Sequence, residues 1–355
     1  MIRHGLLRQL VGAVALLAAG AACAGPSAPA AAPSASAART TAAPDAPTTA
    51  TASPPRTLSF TVVQGVQTFV WPVLVAKEEG FLARQGLDVD FSYANSISEQ
   101  MQIMASGSVD LGFAAPSIQI TAVEHGANLV AVGGLVNLAT YSLIVGPGLH
   151  SYDDVRGKLV VVSGPHTPDV QIVTRMLARE GLTQGTDYDL LPLAAPPSRY
   201  AAVKNGQAAA MLVPQPTDVQ AVSEGMQRIG FAPDVIELAF SSLVTRRDWA
   251  ADNHDVLVRF LVALRDGARW LYQPEHRARA VEILAQDANI TPEIADGTYE
   301  VMVSRVPALT REGEIDRQRF ANWFDLLVES GDLTPPLPSL DKYVDESYWR
   351  EAMQR

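Results

Sequence analysis

Beyond residue 55 the apolar positions switch repeatedly between two periods. Leu58 to Val63 (LSFTVV) is a short, β-branched apolar run, which reads as a strand. Trp71-Pro72 opens a helix, since proline is tolerated in the first turn, and Gly80 and Gly86 punctuate its end. Leu87 to Tyr93 (LDVDFSY) alternates and reads as a strand. Ser98 to Ser106 is a short helix closed by Gly107, and Val109 to Phe113 is a strand. Pro116 starts a helix to Glu124, Gly126 stops it, and Leu129 to Leu135 is a further strand. Strand and helix in alternation predict an α/β fold, a parallel sheet covered by helices on both faces.

A second series follows. Tyr141 to Val145 is a strand that ends at Gly146-Pro147-Gly148, and Lys158 to Val162 is the next. Thr167-Pro168-Asp169 starts a helix, with Thr as cap, Pro at the first helical position and Asp in the first turn; it runs to Glu180. Tyr188 to Leu193, Ser198 to Lys204 and Ala208 to Val213 read as strand, helix and strand. Gln215-Pro216 opens a helix ending near Gly225, and Leu238 to Thr245 is a strand leaving this block. From Trp249 the pattern is helical: Val256 to Tyr272, Glu275 to Gln286, Pro292 to Val303 and Arg317 to Glu329.

The first 55 residues differ from the rest. Arg3 and Arg8 flank a short polar start, and Leu10 to Ala19 is uncharged and apolar. That is about half the length a membrane-spanning helix needs. Gly20, Ala21 and Ala22 then precede Cys23, the build of a secretory signal over residues 1–22. Residues 24–55 are Ala, Pro, Ser or Thr apart from Gly25, Arg39 and Asp45. Such a stretch buries no core and reads as an extended, disordered tether.

Composition narrows the function. The 355 residues are 48% hydrophobic and 18% charged, so most of the chain folds around a core. The formal net charge of −11 argues against a general nucleic-acid binder. One cysteine excludes an internal disulfide, a Cys-based zinc site or an iron–sulfur cluster. Enzyme motifs such as H-E-x-x-H, G-x-S-x-G and the phosphate-binding glycine loops are absent from the sequence, and the histidines are scattered. No catalytic residue, metal or cofactor is expected.

Five stretches together carry a resemblance: VLVAKEEGFLARQGLDVDF (73–91), MQIMASGSVDLGFAAPS (101–117), AVEHGANLVAVGG (122–134), DVRGKLVVVSGPHTPD (154–169) and VKNGQAAAMLVPQP (203–216). In order and spacing the chain resembles the substrate-binding proteins of bacterial ABC importers, in the group for nitrate, sulfonate, taurine and thiamine-pyrimidine precursors. The leader resembles a lipoprotein signal, in which Cys23 receives the lipid; Gly20 stands where leucine is usual. The resemblance implies a type II clamshell. Lobe I is then 56–142 plus 240–355, with the C-terminal helices packed on it, and lobe II is 143–239. The chain crosses at Tyr141–Gly146 and Leu238–Thr245. It further implies a monomer that hands a solute to a permease and touches the membrane through its anchor alone.

In open α/β sheets ligands sit beyond the carboxyl ends of strands. The loops so placed supply Gln67, Phe69 and Trp71; Ala115 and Ser117; Ser163, His166 and Thr167; and Gln215, with Asn137 and Tyr141 near the first crossing. Phe69 and Trp71 suit stacking on a flat ligand or ordinary core packing. Thr167 suits capping, and His166 a surface position. None of these loops holds Lys or Arg, although Arg199, Arg246 and Arg247 lie close by in sequence. A small, mostly neutral, heterocyclic solute is therefore expected. Three alternatives stay open: an alkanesulfonate or nitrate binder, a sensor without transport, and a pyridoxal-phosphate-dependent pyrimidine synthase, against which Lys77, Lys158 and Lys204 fall at helix or strand positions and not in the pocket loops.

Overall fold

The computed structural model describes residues 54–165, 167–194 and 196–355. The signal, Cys23, the tether to Ser53 and His166 lie outside the described residues. Ten strands form two five-stranded sheets.

The first sheet grows from the first βα series: β1 (Arg56–Val63), α1 (Trp71–Glu78), α2 (Phe81–Arg84), β2 (Leu87–Ala94), α3 (Ile97–Ser106), β3 (Leu111–Ala114), α4 (Pro116–Glu124) and β4 (Leu129–Val136). Local chemistry sets these boundaries. Ser96 caps α3 by accepting from the Glu99 N–H at 3.2 Å, and Gly107 ends it in a left-handed conformation at φ 77°. The sequence of β4, LVAVGGLV, is buried throughout, as a strand covered on both faces must be.

The second sheet comprises β5 (Ser142–Val145), β6 (Lys158–Val162), α5 (Pro168–Arg179), β7 (Tyr188–Pro192), α6 (Pro196–Lys204), β8 (Ala210–Val213), α7 (Thr217–Ser223) and β9 (Gln227–Phe231). The chain then returns to the first sheet as β10 (Ser241–Arg246). Strand orders are β2-β1-β3-β10-β4 and β7-β6-β8-β5-β9.

Neither sheet is wholly parallel, contrary to the expectation from alternation. β10 runs antiparallel to β3 and β4, with Ser242 opposite Ala114, and β5 runs antiparallel to β8 and β9, with Ser142 opposite Val213. Topology supplies the reason. Each of these strands follows directly from the other sheet. It enters where its neighbours' carboxyl ends lie, so it must run the other way. Residues 137–141 and 232–240 are the two passages, and they are hydrogen-bonded together: Ala139 N–H donates to Leu238 O at 2.9 Å and Ala232 N–H to Tyr141 O at 2.8 Å.

After α8 (Arg247–Asp252), the chain is helical: α9 (His254–Leu271), α10 (Arg277–Ala288), α11 (Pro292–Tyr299), α12 (Arg317–Ala321), α13 (Trp323–Glu329) and α14 (Ser347–Ala352). The helix expected over Arg317 to Glu329 divides at Asn322. These helices pack mainly on the first sheet's layer: α9 on α1 and α2, α13 on α4, α14 on β4. Gly267 lets α9 approach α1 closely, since a Cβ there would lie 2.6 Å from Pro72 O. α11 also reaches the second half, where Gly297 faces Val219 of α7.

Candidate ligand-binding cleft

The carboxyl ends of β1, β3, β6 and β8 point toward one another across the gap between the sheets. The loops that follow them border a cavity of about 110 Å³. Its walls are mainly apolar, as small-molecule sites usually are.

One wall is a run of aromatic rings. Phe69 meets Phe113 edge-on with centroids 5.9 Å apart and Phe240 at 4.7 Å, and Phe240 meets Tyr141 at 5.0 Å. Tyr141 and Phe240 sit on the two passages between the sheets, so the ring wall spans the hinge.

The charged wall belongs to the second half, while the first half adds Asn95, Ser96, Ser98 and Gln100. Asp169 in the first turn of α5 is buried, and its Oδ2 accepts from the Ser163 N–H at 2.6 Å and hydroxyl at 2.8 Å. Arg199 on α6 is also buried; its Nη1 donates to Leu193 O and Ala194 O at 3.1 and 3.0 Å. Both side chains line the cavity, which therefore holds one carboxylate and one guanidinium. Burial, and secondarily the Asp169 charge, push the Tyr141 phenol above its ordinary range, against the pull of Arg199. Its hydroxyl stays protonated at physiological pH.

The sequence-derived candidates separate into three groups. Phe69, Ala115, Tyr141, Ser163 and Thr167 line this cavity. Ser117 lines an adjoining outer space. Gln67, Trp71, Asn137 and Gln215 line neither space. Trp71 is wholly buried in the core, its Nε1 donating to Ala280 O at 3.2 Å and its ring edge-on to Tyr299. A tryptophan at the first position of α1 turns inward to the C-terminal helices. Gln67 is buried in the short turn before α1. Asn137 faces the helical tail, donating to Glu314 O at 3.0 Å and accepting from the Asp316 N–H. Gln215 is fully buried beneath the passages, bonded to Thr140, Asp218 and, through its backbone carbonyl, Thr68. Thr167 occupies the N-cap position without capping: its hydroxyl donates to Gly164 O at 2.7 Å. His166 lies outside the described residues.

Of the three arginines near lining segments, only Arg199 lines the cavity; Arg246 pairs with Asp248 and Arg247 donates to Lys342 O. Sequence reasoning did not single out Asp169 as a wall residue, nor Phe113 and Phe240. Lys77, Lys158 and Lys204 lie elsewhere, bonded to Val89 O, Asp154 O and Glu224.

Two mixed sheets joined by two passages, with a cavity at their facing carboxyl ends, have the two-lobed architecture of the type II periplasmic binding-protein fold. The NMT1/THI5-like family model matches residues 67–278, and the chain belongs to that family. It is similar over 84% of its length to a Staphylococcus aureus ligand-binding component of an ABC-type import system. That similarity has a TM-score of 0.70 and 14% identity and spans 99% of that chain. It is also similar to the alkanesulfonate-binding protein SsuA of Xanthomonas axonopodis pv. citri, with a TM-score of 0.65 and 18% identity, over 83% of this chain and 99% of that one. A Brucella abortus (strain 2308) protein that carries only the provisional name of a binding protein is 24% identical over 291 residues. The match covers 77% of this chain and 86% of that protein. A Schizosaccharomyces pombe 4-amino-5-hydroxymethyl-2-methylpyrimidine phosphate synthase is 28% identical over 91 residues, 25% of this chain and 26% of that one.

Proposed function

We propose that the protein is the extracytoplasmic solute-binding component of an ABC importer. It captures a small, overall neutral, flat organic solute between its lobes and presents it to a permease. The observation that carries this reading is the cavity itself. Its aromatic wall offers faces to a planar ring, and Arg199 with Asp169 supplies one donor and one acceptor whose charges balance. A planar heterocycle with an acceptor beside a donor complements that pair. A bare anion is repelled by the Asp169 carboxylate on the same wall.

The domain division that goes with this reading is lobe I at 56–142 and 240–355 and lobe II at 143–239. A leader over 1–22 and a lipid on Cys23 place the body at the outer face of the cytoplasmic membrane, with 24–55 as the tether. A monomer suffices for it. The Brucella relative and the Staphylococcus component support a binding role. The fission-yeast synthase favours the enzyme alternative over a quarter of the chain, but among the described residues no lysine lines the cavity to hold pyridoxal phosphate.

A thermal-shift and calorimetric panel tests the solute class. Planar neutral heterocycles are expected to raise the melting temperature, and tight binding of alkanesulfonates with no response to heterocycles overturns the reading. Metabolic palmitate labelling of the wild type, lost in Cys23→Ser, tests the anchor.

A further inference from the structure

The aromatic cavity does not end at its outer wall. A second space of about 460 Å³, open to solvent, adjoins it. The two share Ile97, Ser98, Met101, Ile118, Ser163 and Thr167 as a common boundary. The outer space is bordered by α3, α4 and α5, by Leu327 of α13 and by Asp332 in the loop after it. Contacts from the second half to the helical tail run beside it. Gln171 Nε2 donates to Ser330 Oγ at 3.4 Å, and Arg175 pairs with Glu329 at 2.6 Å.

The chemistry of the outer space differs from that of the inner one. It offers hydroxyls and an amide from Ser98, Ser117, Thr121 and Gln171, and among its described lining residues there is no Lys or Arg. Ser117 is 4% exposed, and its Oγ is buried with no hydrogen-bond partner among the described residues; Gln171 Oε1 is in the same condition. A buried polar atom without a partner is costly, so such atoms mark places where a bound molecule supplies the missing bond. The Asp332 carboxyl group of this lining disfavours an anionic occupant, and His125 is the other titratable side chain on it.

We infer that the solute is bipartite: a flat heterocycle held in the inner cavity and joined to a neutral, hydroxyl-bearing tail that lies in the outer space against Ser117 and Gln171. This rests on the solute-binding reading above and adds the shape and chemistry of the second half of the ligand. Nucleosides have that build, and each has a tail-free counterpart.

The experiment titrates the mature protein calorimetrically with uracil and uridine, cytosine and cytidine, and adenine and adenosine, with ribose as the tail alone. For at least one pair the nucleoside is expected to bind at least tenfold more tightly than its base, and ribose not at all. Ala122→Trp puts an indole into the outer space from α4; Ala122 itself lines only that space, one turn beyond the shared Ile118. The substitution should abolish that tenfold gain and leave the base's affinity within twofold. Ser117→Ala, a milder change, should reduce the gain about fivefold, and melting curves verify that both variants fold. A base that binds as tightly as its nucleoside, or a gain that survives Ala122→Trp, overturns the bipartite ligand while leaving the importer reading intact. If no member of any pair binds, the inference falls together with the heterocycle assignment.

Discussion

Asp218 is a fully buried carboxylate beneath the two passages, and its removal should be felt more than that of any cavity residue. Its Oδ2 accepts from Ser142 Oγ at 2.8 Å, Gln215 Nε2 at 3.0 Å and Arg228 Nη2 at 2.6 Å. Gln215 in turn accepts from Thr140 at 2.6 Å and, through its backbone carbonyl, from Thr68 at 2.9 Å. Thr68 comes from the turn before α1, so this network joins the two halves. Asp218→Ala strands a guanidinium and two neutral donors together. Breaking a buried pair from one side costs about 3–5 kcal/mol. The Arg228 side chain keeps 26% of its surface in water, which brings that cost down to about 1–2 kcal/mol. Each orphaned neutral donor adds about 1 kcal/mol. The expected total is about 3–4 kcal/mol, or roughly a 6–12 °C fall in melting temperature for a chain of this size.

The assay is differential scanning calorimetry on Asp218→Ala, Arg228→Met and the double variant. Removing both charges leaves no buried unpaired ion, so the double variant should be more stable than Asp218→Ala by at least about 1 kcal/mol. Strict additivity of the two single changes, or a loss below about 1 kcal/mol for Asp218→Ala, refutes the reasoning.

Three further outcomes follow from the geometry. Tyr141→Phe keeps the ring against Phe240 and removes one hydroxyl; the melting temperature should hold within about 1 °C while solute affinity drops roughly five- to tenfold by calorimetry, the worth of one hydrogen bond. Gly267→Ala places a methyl 2.6 Å from Pro72 O between α9 and α1 and should cost about 1–3 kcal/mol of stability, read by thermal melting. Burial raises the phenols of Tyr141 and Tyr272, and burial with Asp287 pushes Tyr93 up to about 12. A folded-state pKa above the unfolded value of about 10 favours folding below that pH and loses its contribution as pH rises past it. Melting temperatures should therefore fall progressively above pH 10, and a rise over that interval contradicts the assignment.

Much of the fold was legible because backbone requirements are local. The eight apolar residues of β4, the proline at the second position of α1 and the glycine after α3 each mark an element without reference to the rest of the chain. β9 escaped notice: QRIGF carries two polar residues at its start and only Phe231 is buried, as suits an edge strand. The antiparallel placing of β5 and β10 was equally hidden, because periodicity reports which faces are buried and not the direction from which a strand arrives.

The cavity wall was read less well, and the reason is geometric. A residue at the carboxyl end of a strand can face the gap between sheets or fold back under it, and hydropathy does not distinguish the two. Phe69 and Trp71 stand two residues apart, one at the end of a short turn and the other at the start of α1. That offset turns Phe69 to the cavity and Trp71 onto Ala280 and Tyr299. Gln215 and Ser163 part in the same way, Gln215 beneath the passages and Ser163 toward the gap. Arg199 enters from the second turn of a helix rather than from a loop, so a search restricted to strand-end loops finds no cation. Yet the guanidinium reaches the cavity because Leu193 O and Ala194 O hold it there. The cavity's balance of charge thus arises from two helix-borne groups, an acid in the first turn of α5 and a base on α6, that only the folded chain brings to one wall, and a ligand preference drawn from loop composition alone omits both.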